Sequence, residues 1–404
     1  MGRRFRRCSP PSTIHQENSD LSILLLALCS LCALAVIYPY AIYPLILARL
    51  PARPLRPVAV EPGEARRRRL SLAFCAYNEA AVLPAKIANL RRLREAEPSL
   101  EILAYSDGSS DETAALLQAE ESWLRVFAAP ERHGKSHGMN ALVQAAEGDI
   151  VVFTDANVMV DPQALAALRR SFADPAVGCV CGHLIYTNPE EGATAATGSL
   201  YWRLEERIKA LESRSGSTMG ADGSIFAVRR LLYRPVPADI IDDMFVSLSI
   251  LCDGYRVLRD PDVIAYERGA TDSGDEFKRK IRIACQAFNC HRLLRPRLRR
   301  LAPLDRFKYA SHKVLRWFGI YFLALGALAA GIWLLLHGLG LVALAGLLAA
   351  GLLYVAGRAG VPQALAKVVE ILRAMAATGI GLVKSRRGER FQTWELPASS
   401  RRAG

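Results

Sequence analysis

Residues 150–157, with the sequence IVVFTDAN, constrain the fold more than any other stretch of the chain. Apolar or β-branched residues run without a break into Asp155, between a turn signal at 147–149 and a helix start at Asp161-Pro162. A continuous run of this kind indicates a buried strand of a parallel sheet. Ligands of open α/β sheets bind outside the carboxyl ends of such strands. Asp155 is therefore either a ligand-binding residue or a structural carboxylate that caps a loop.

Strand and helix patterns alternate along the middle of the chain. Strands are predicted at 70–76, 101–105, 124–128 and in the IVVFTDAN stretch, and helices at 79–95, 111–120, 136–146 and 162–171. This alternation predicts an α/β domain with a Rossmann-like, mostly parallel sheet that helices cover on both faces. We expect one such domain over residues 70–290.

Three uncharged apolar stretches flank this domain, at 21–48, 317–336 and 339–357. Each is long enough to cross a hydrocarbon core of roughly 30 Å, and the last two form a helical hairpin within residues 317–357. Lys367, Glu370 and Arg373 share one helix face, so residues 361–383 are predicted to be interfacial. The remaining segments are a polar tail (1–20), a basic linker (49–69), basic interfacial helices (291–316), and an amphipathic segment with a cytoplasmic tail (358–404).

The net charge of +13 would also suit a nucleic-acid partner. The arginines, however, cluster beside the apolar stretches, at 3–7, 66–69, 295–300 and 386–390. That placement follows the positive-inside rule and favours anionic lipid over nucleic acid. We therefore expect a multi-pass protein of the inner (cytoplasmic) membrane, with its α/β domain in the cytoplasm and no nucleic-acid partner. The cysteines have neither metal-site nor disulfide spacing.

Polar residues follow each predicted strand at what should be one edge of the sheet. They are residues 77–79, Asp107, Lys135, and Asp155 with Asn157. Strand-end carboxylates, a lysine and a helix N-terminus suit a nucleotide diphosphate. Asp107 could bind a base or ribose hydroxyl, Lys135 a phosphate, and Asp155 a divalent cation.

A P-loop nucleoside triphosphatase is the main alternative, because residues 134–136 (GKS) open a helix after a strand. The first glycine of that motif is missing, since Ala129 stands there and Pro130 follows. His133 and His137 are spaced as a metal pair but lack a third ligand nearby. Phosphate contact or solvent exposure is therefore the preferred interpretation for both histidines.

Six motifs in order make the pattern specific: AYNEA, SDGSSDET, HGKSHGMN, FTDAN, GADGSIFAVRR and IDDMFVSLSILCDGYRV. Over residues 70–270 the set resembles membrane-bound family 2 glycosyltransferases, which include cellulose, hyaluronan and poly-N-acetylglucosamine synthases and lipid-carrier glycosyltransferases. The resemblance implies a GT-A fold, a nucleotide-diphosphate sugar donor, Mg²⁺ or Mn²⁺, and inversion of the anomeric centre. It also implies a membrane-associated acceptor, either a lipid-linked glycan or a growing exopolysaccharide.

The resemblance also assigns roles to individual residues. Donor binding falls to Ala76, Tyr77, Asn78, Glu79, Asp107, Lys135, Asp155 and Arg282; metal binding to Asp155 and Asn157; acceptor binding to Asp242 and Gly220; and general-base catalysis to Asp243. A single base suits direct displacement, because it takes the proton of the acceptor hydroxyl. Asn157 stands where the family usually has a second aspartate, so the metal site loses a charge. Without the other motifs, Asp242-Asp243 would be an ordinary acidic helix N-terminus.

One departure from the family concerns the Gln-x-x-Arg-Trp motif of processive members. The corresponding residues 279–283 (RKIRI) retain Arg282 but lack the glutamine and the tryptophan. Arg282 therefore contacts a phosphate or simply belongs to a basic helix near the membrane. The missing tryptophan favours transfer of one sugar over processive synthesis. The alternative for the whole chain is a non-catalytic glycosyltransferase-like membrane scaffold in a polysaccharide assembly complex.

Overall fold

The computed structural model describes residues 12–56, 69–188, 190–191, 193–269, 271–359 and 362–393. Three predicted segments lie partly outside these residues: the N-terminal tail at 1–11, the basic linker at 57–68 and the C-terminal tail at 394–404. The linker arginines at 66–68 are among the residues outside.

Eight strands form one sheet in the order β3-β2-β1-β4-β7-β6-β8-β5. The strands are β1 Leu70–Ala76, β2 Glu101–Asp107, β3 Arg125–Ala129, β4 Ile150–Thr154, β5 Met159–Val160, β6 Val177–Tyr186, β7 Ile225–Arg229 and β8 Arg256–Glu267. Strands β1 to β4 are parallel, and β6 and β8 are also parallel to each other. Strand β7 is antiparallel to both β4 and β6. The predicted α/β fold is confirmed, with a mixed sheet in which parallel pairs predominate.

The helices lie between and beyond these strands. They are α1 Ser12–Ile37, α2 Ile42–Arg49, α3 Leu83–Ala96, α4 Thr113–Gln118, α5 Lys135–Ala145, α6 Gln163–Ser171, α7 Ala193–Arg214, α8 Asp242–Cys252, α9 Ser273–Leu298, α10 Pro303–Tyr309, α11 Leu315–Trp317, α12 Gly319–Leu336, α13 Gly340–Arg358 and α14 Gln363–Arg386. A 3₁₀ turn follows β7 at Arg230–Leu232, and a π-helical segment, Ala310–Val314, joins α10 to α11.

The central strand β4 is buried on both faces of the sheet, which explains its uninterrupted apolar sequence. Val151 and Phe153 pack into the core on one face, with the residues of α8 and α9. Ile150 and Val152 pack into the core on the other face, with α3 and α6. Because the chain leaves β4 at this doubly covered position, Asp155 emerges at the centre of the sheet edge.

Within the described residues, three helices are long and apolar enough to cross a membrane: Ser19–Ile37 of α1, α12 and α13. The predicted first apolar stretch, 21–48, is divided, because α1 ends at Ile37 and a turn containing Pro39 precedes α2. Proline lacks the amide that would continue the helix. Helix α2 packs Tyr43 and Leu47 against Ile208 of α7. Helix α14 lies along α9, with Gly381 against Ala284.

Candidate active site

The loops after β1 and β2 are joined by hydrogen bonds from Asn78 and Glu79. Asn78 has a φ of 51°, a left-handed conformation that asparagine tolerates better than most residues. Its side-chain oxygen accepts a bond from the Ser110 amide at 2.8 Å, and its own amide donates to Ser109 at 3.2 Å. The Glu79 amide donates to the Thr113 hydroxyl at 2.8 Å. The β1 edge, from Ala76 to Glu79, is therefore held against the loop that follows Asp107.

Asp107 is fully buried at the end of β2 and organises the loop between β3 and α5. Its carboxylate accepts bonds from the amides of His133 at 2.7 Å and Gly134 at 2.9 Å. Gly134 has a φ of +94°, which favours glycine. Arg132 lies over the Tyr77 ring, 3.6 Å from its centre, and no sequence motif indicated this residue. Base or ribose binding by Asp107 stays a prediction, whereas its contact to the loop is structural.

Lys135 stands at the centre of the candidate site. Its ammonium lies 2.8 Å from an oxygen of Asp155 and 3.3 Å from an oxygen of Asp242. A Cβ on Gly223 would lie 3.5 Å from that ammonium and 3.3 Å from a carboxylate oxygen of Asp243. Burial lowers the pKa of Lys135, but the charges of Asp155 and Asp242 outweigh it and hold that pKa above its ordinary value. The lysine is therefore a cation shared by carboxylates from two elements.

Asp243 lies in the first turn of α8, beside Asp242. Burial and the charge of Asp242 raise the pKa of Asp243 to about 7, while Lys135 opposes them. One of its oxygens accepts a bond from the Met244 amide at 2.5 Å, and the other points toward Gly223. A carboxylate with a pKa near the working pH is well matched to general-base catalysis.

Gly220, predicted on the acceptor side, begins the turn that brings Gly223 to this carboxylate. It has a φ of +109°, and the next amide, that of Ala221, donates to the Ser247 hydroxyl at 2.9 Å. The structure therefore brings together Lys135, Asp155, Asp242, Asp243 and the loop 218–223, which contains Gly220 and Gly223.

Asn157 faces a carboxylate that the sequence did not indicate. Its side-chain amide donates to Glu267 at 3.0 Å, at the end of β8, and the Ser224 hydroxyl lies 3.5 Å from the other oxygen of Glu267. Among the described residues, no group of three or more histidine, cysteine or acidic side chains could hold a metal ion. Asp155, with 34% of its side chain exposed, and the Asn157 side chain still offer the oxygen ligands that Mg²⁺ and Mn²⁺ prefer. They fit a cation that takes its other ligands from phosphate and water.

Arg282 lies on α9 and bonds to Gln286 at 3.2 Å. Burial, together with Arg279, lowers the pKa of Arg282, while the charges of Asp242, Asp155 and Asp243 oppose this shift. The charges of these carboxylates therefore act on the guanidinium, whereas contact of Arg282 with a donor phosphate stays a prediction.

The described C-terminal residues also approach the site, which the sequence did not indicate. Gln286 donates to the Phe391 carbonyl at 2.8 Å, and a Cβ on Gly134 would collide with the Gln392 carbonyl. The segment after α14 therefore lies over the loop between β3 and α5. Residues 358–404 were expected to form only an amphipathic segment and a tail.

Comparison with known proteins agrees with the motif pattern. Residues 71–235 match Glycosyl transferase family 2. An N-acetylglucosaminyltransferase of Rhizobium leguminosarum bv. viciae is 25% identical over 250 residues, which are 58% of this chain and 58% of that protein. A poly-beta-1,6-N-acetyl-D-glucosamine synthase of Staphylococcus aureus (strain COL) is 26% identical over 226 residues, 53% of each chain. The chain thus spans less than two thirds of the length of these relatives.

The fold is shared with a solved structure, the mannosyltransferase PcManGT from Pyrobaculum calidifontis in complex with GDP-Man and Mn²⁺. The TM-score is 0.68 at 22% identity, over 92% of this chain and 100% of the mannosyltransferase. This similarity concerns the fold alone. Together with the family match, it confirms the resemblance that the six motifs indicated: residues 71–235 are similar to family 2 glycosyltransferases, and the fold is of the GT-A kind. Three described helices are also apolar enough to cross a membrane.

Proposed function

We propose that this protein is an inverting glycosyltransferase that moves a sugar from a nucleotide-diphosphate donor to a membrane-associated acceptor. The observation that carries the proposal is the position of Asp243. Its carboxylate borders the open side of Gly223, beside the Lys135 ammonium, and its pKa is raised toward neutrality. A partly buried carboxylate of this kind suits removal of a proton from an acceptor hydroxyl.

In the proposed reaction, Asp243 accepts the proton of the acceptor hydroxyl while the oxygen of that hydroxyl attacks the anomeric carbon. The bond from this carbon to the donor diphosphate breaks, and the nucleotide diphosphate leaves. Attack opposite the leaving group inverts the anomeric centre. Lys135 and Arg282 stabilise the negative charge that grows on the diphosphate.

The charge balance of the site supports a divalent cation. The charges of Asp155, Asp242 and Asp243 act on two cations, Lys135 and Arg282, and a diphosphate adds further negative charge. We propose that Asp155 and Asn157 hold Mg²⁺ or Mn²⁺, with Asn157 lowering the charge of the site relative to a second aspartate. When bound, the cation would supply Lewis-acid stabilisation of the leaving diphosphate.

We infer that the acceptor is a lipid-linked glycan or a growing exopolysaccharide, and that the catalytic domain, residues 70–290, faces the cytoplasm. Helices α1, α12 and α13 support attachment to a membrane. The arginines that follow the first apolar stretch support the cytoplasmic orientation. The names of the relatives make an N-acetylglucosamine donor the first to test.

The test uses the full chain in membranes, a panel of nucleotide sugars that begins with UDP-N-acetylglucosamine, and Mg²⁺ or Mn²⁺. We expect release of nucleotide diphosphate with at least one donor, and a decrease of about 100-fold or more in Asp243→Asn. Asp253→Asn, at the opposite end of α8, is the matched control and should keep the wild-type rate. An Asp243→Asn variant with the wild-type rate would refute the assignment of the base. Turnover with any donor excludes the scaffold alternative.

A further inference from the structure

Glu212, on α7, is completely buried and divides its two carboxylate oxygens between two parts of the molecule. One oxygen accepts a bond from the Tyr43 hydroxyl at 2.5 Å and lies 2.8 Å from Nδ1 of His312. The other oxygen accepts bonds from the Thr218 hydroxyl and the Met219 amide, both at 3.0 Å. Glu212 therefore joins two regions that are far apart in sequence.

The first region contains the helices next to the candidate membrane spans. Tyr43 lies on α2, which follows α1, and His312 lies in the π-helical segment that leads through α11 into α12. Nε2 of His312 lies 2.8 Å from Glu205, which also bonds to Arg316 at 2.6 Å. Single π-helical turns within helices often occur at functional sites. Here the turn places His312 between two carboxylates of α7.

The second region is the loop 218–223, which borders the proposed base. The Ala221 amide donates to the Ser247 hydroxyl at 2.9 Å, and that hydroxyl donates to the carbonyl of Asp243 at 2.6 Å. Gly223 then ends the loop against the Asp243 carboxylate. Hydrogen bonds, together with the short backbone segment from Met219 to Ala221, therefore connect Tyr43 through Glu212 to the first turn of α8.

The energetics of this arrangement make Glu212 an unusual choice for a purely structural contact. Burial raises the pKa of Glu212, but the charge of His312 and the surrounding donors bring it below its ordinary value. A buried ion pair is often no more stabilising than well-packed apolar side chains. The set of bonds around Glu212 differs from an apolar contact in its geometry, because each hydrogen bond to the carboxylate fixes the direction of the donor.

We propose that Glu212 is a positioning residue that transmits the seating of α2 and the π-helical segment to the loop 218–223. In this way it sets the acceptor side of the site. The inference rests on the proposed transferase function, but the coupling can be measured without it. The loops after β1 and β3, residues 77–79 and 130–134, are held by bonds to Ser109 and Asp107 and not by Glu212. Donor binding should therefore be independent of Glu212.

The test compares full-length variants in lipid nanodiscs. Tyr43→Phe removes the bond on the helix side, Thr218→Val removes one on the loop side, and Glu212→Gln weakens both. Tyr38→Phe is the matched control, because it removes a hydroxyl contact of 3.1 Å between the turn before α2 and Ser311 of the π-helical segment without touching Glu212. Amide hydrogen exchange is followed in peptides covering 218–223 and 131–135, and kcat and donor KM are measured in parallel.

We expect Tyr43→Phe to accelerate exchange in 218–223 about tenfold and to leave 131–135 unchanged, since one bond to a charged group is lost. We also expect kcat to fall about tenfold with donor KM within about twofold, because only the acceptor side is displaced. Tyr38→Phe should change neither. Unchanged exchange in 218–223, or a rise in KM with constant kcat, would overturn the proposal.

Two further outcomes are separable. If the wild type shows no turnover with any donor, the proposed function fails while the exchange measurement still decides the coupling. If Glu212→Gln does not fold, Tyr43→Phe and Thr218→Val each remove a single hydroxyl and still decide it.

Discussion

The pH dependence of transfer should follow the ionisation of Asp243. Burial and Asp242 raise the pKa of this carboxyl to about 7, and only the ionised form can accept a proton. At pH 6 about one tenth of the groups are ionised, so kcat/KM should be about tenfold below its plateau. The rate should rise through neutrality and level off near pH 8.

Two neighbouring charges act on Asp243 in opposite directions, which gives the prediction a signed control. The charge of Lys135 lowers the pKa of Asp243, so Lys135→Met should move the midpoint of the profile to higher pH. The charge of Asp242 raises it, so Asp242→Asn should move the midpoint to lower pH. Each shift should amount to about one pH unit or more, as expected for a charge at this range.

The assay is kcat/KM for release of nucleotide diphosphate between about pH 5.5 and 8.5, because this parameter reports the free enzyme. Both variants will have lower absolute rates, so only the midpoint is compared. Nucleotide binding is measured over the same pH range, so that the effect of donor ionisation can be separated from that of Asp243. A flat wild-type profile, or midpoints that move in the same direction in both variants, would refute the reasoning.

Three further predictions follow from the same contacts. Because the pKa of Asp243 is raised above its ordinary 3.8, the penalty of its charge is present at pH 8 and absent below both pKa values. The melting temperature of Asp243→Asn should therefore exceed that of the wild type by a few degrees at pH 8 and equal it near pH 3.5. Equal melting temperatures at pH 8 would contradict the prediction that folding disfavours the charged carboxylate. Gly223→Ala should lower kcat about tenfold or more with unchanged nucleotide affinity, since its Cβ would lie 3.3 Å from Asp243. Gly198→Ala, which has open space around it, is the control, and equal rates in both would contradict the prediction. Asn157→Asp places a second carboxylate against Glu267, 3.0 Å from the present amide. Its melting temperature should fall in EDTA and rise more with Mn²⁺ than that of the wild type; an equal response would argue against a cation at this position.

The positions of most proposed donor-side residues could be predicted from the sequence because these residues lie at or just after strand ends. Strand β1 has the predicted bounds, and β4 begins at the predicted residue, since both are buried on two faces and read as continuous apolar runs. The polar residues of interest directly follow each run, Tyr77 to Glu79 after β1 and Asp155 after β4. Strand identity and site position are therefore encoded in the same few residues.

Other parts of the site have no such signal. Strand β8 lacks the alternation or apolar run of a strand, because it contains Arg256, Arg259, Asp260, Pro261 and Asp262. The position of Glu267, at the end of this strand, could therefore not be predicted from the sequence. The approach of Gln392 to Gly134 and the contact of Glu212 with Tyr43 join residues more than a hundred positions apart. Such contacts follow from tertiary packing, which local patterns do not contain.

The proposed donor and acceptor sides of the site are held by different parts of the chain, and this has a consequence for the candidate membrane spans. The donor loops are fixed by bonds among strand ends, such as those that Asp107 accepts from Gly134. The loop beside Asp243 is fixed from outside the sheet, through Glu212 and the helices next to α1 and α12. A change of lipid or detergent acts first on those helices. It should therefore alter the rate of sugar transfer through the position of the loop, while the affinity for the nucleotide stays the same.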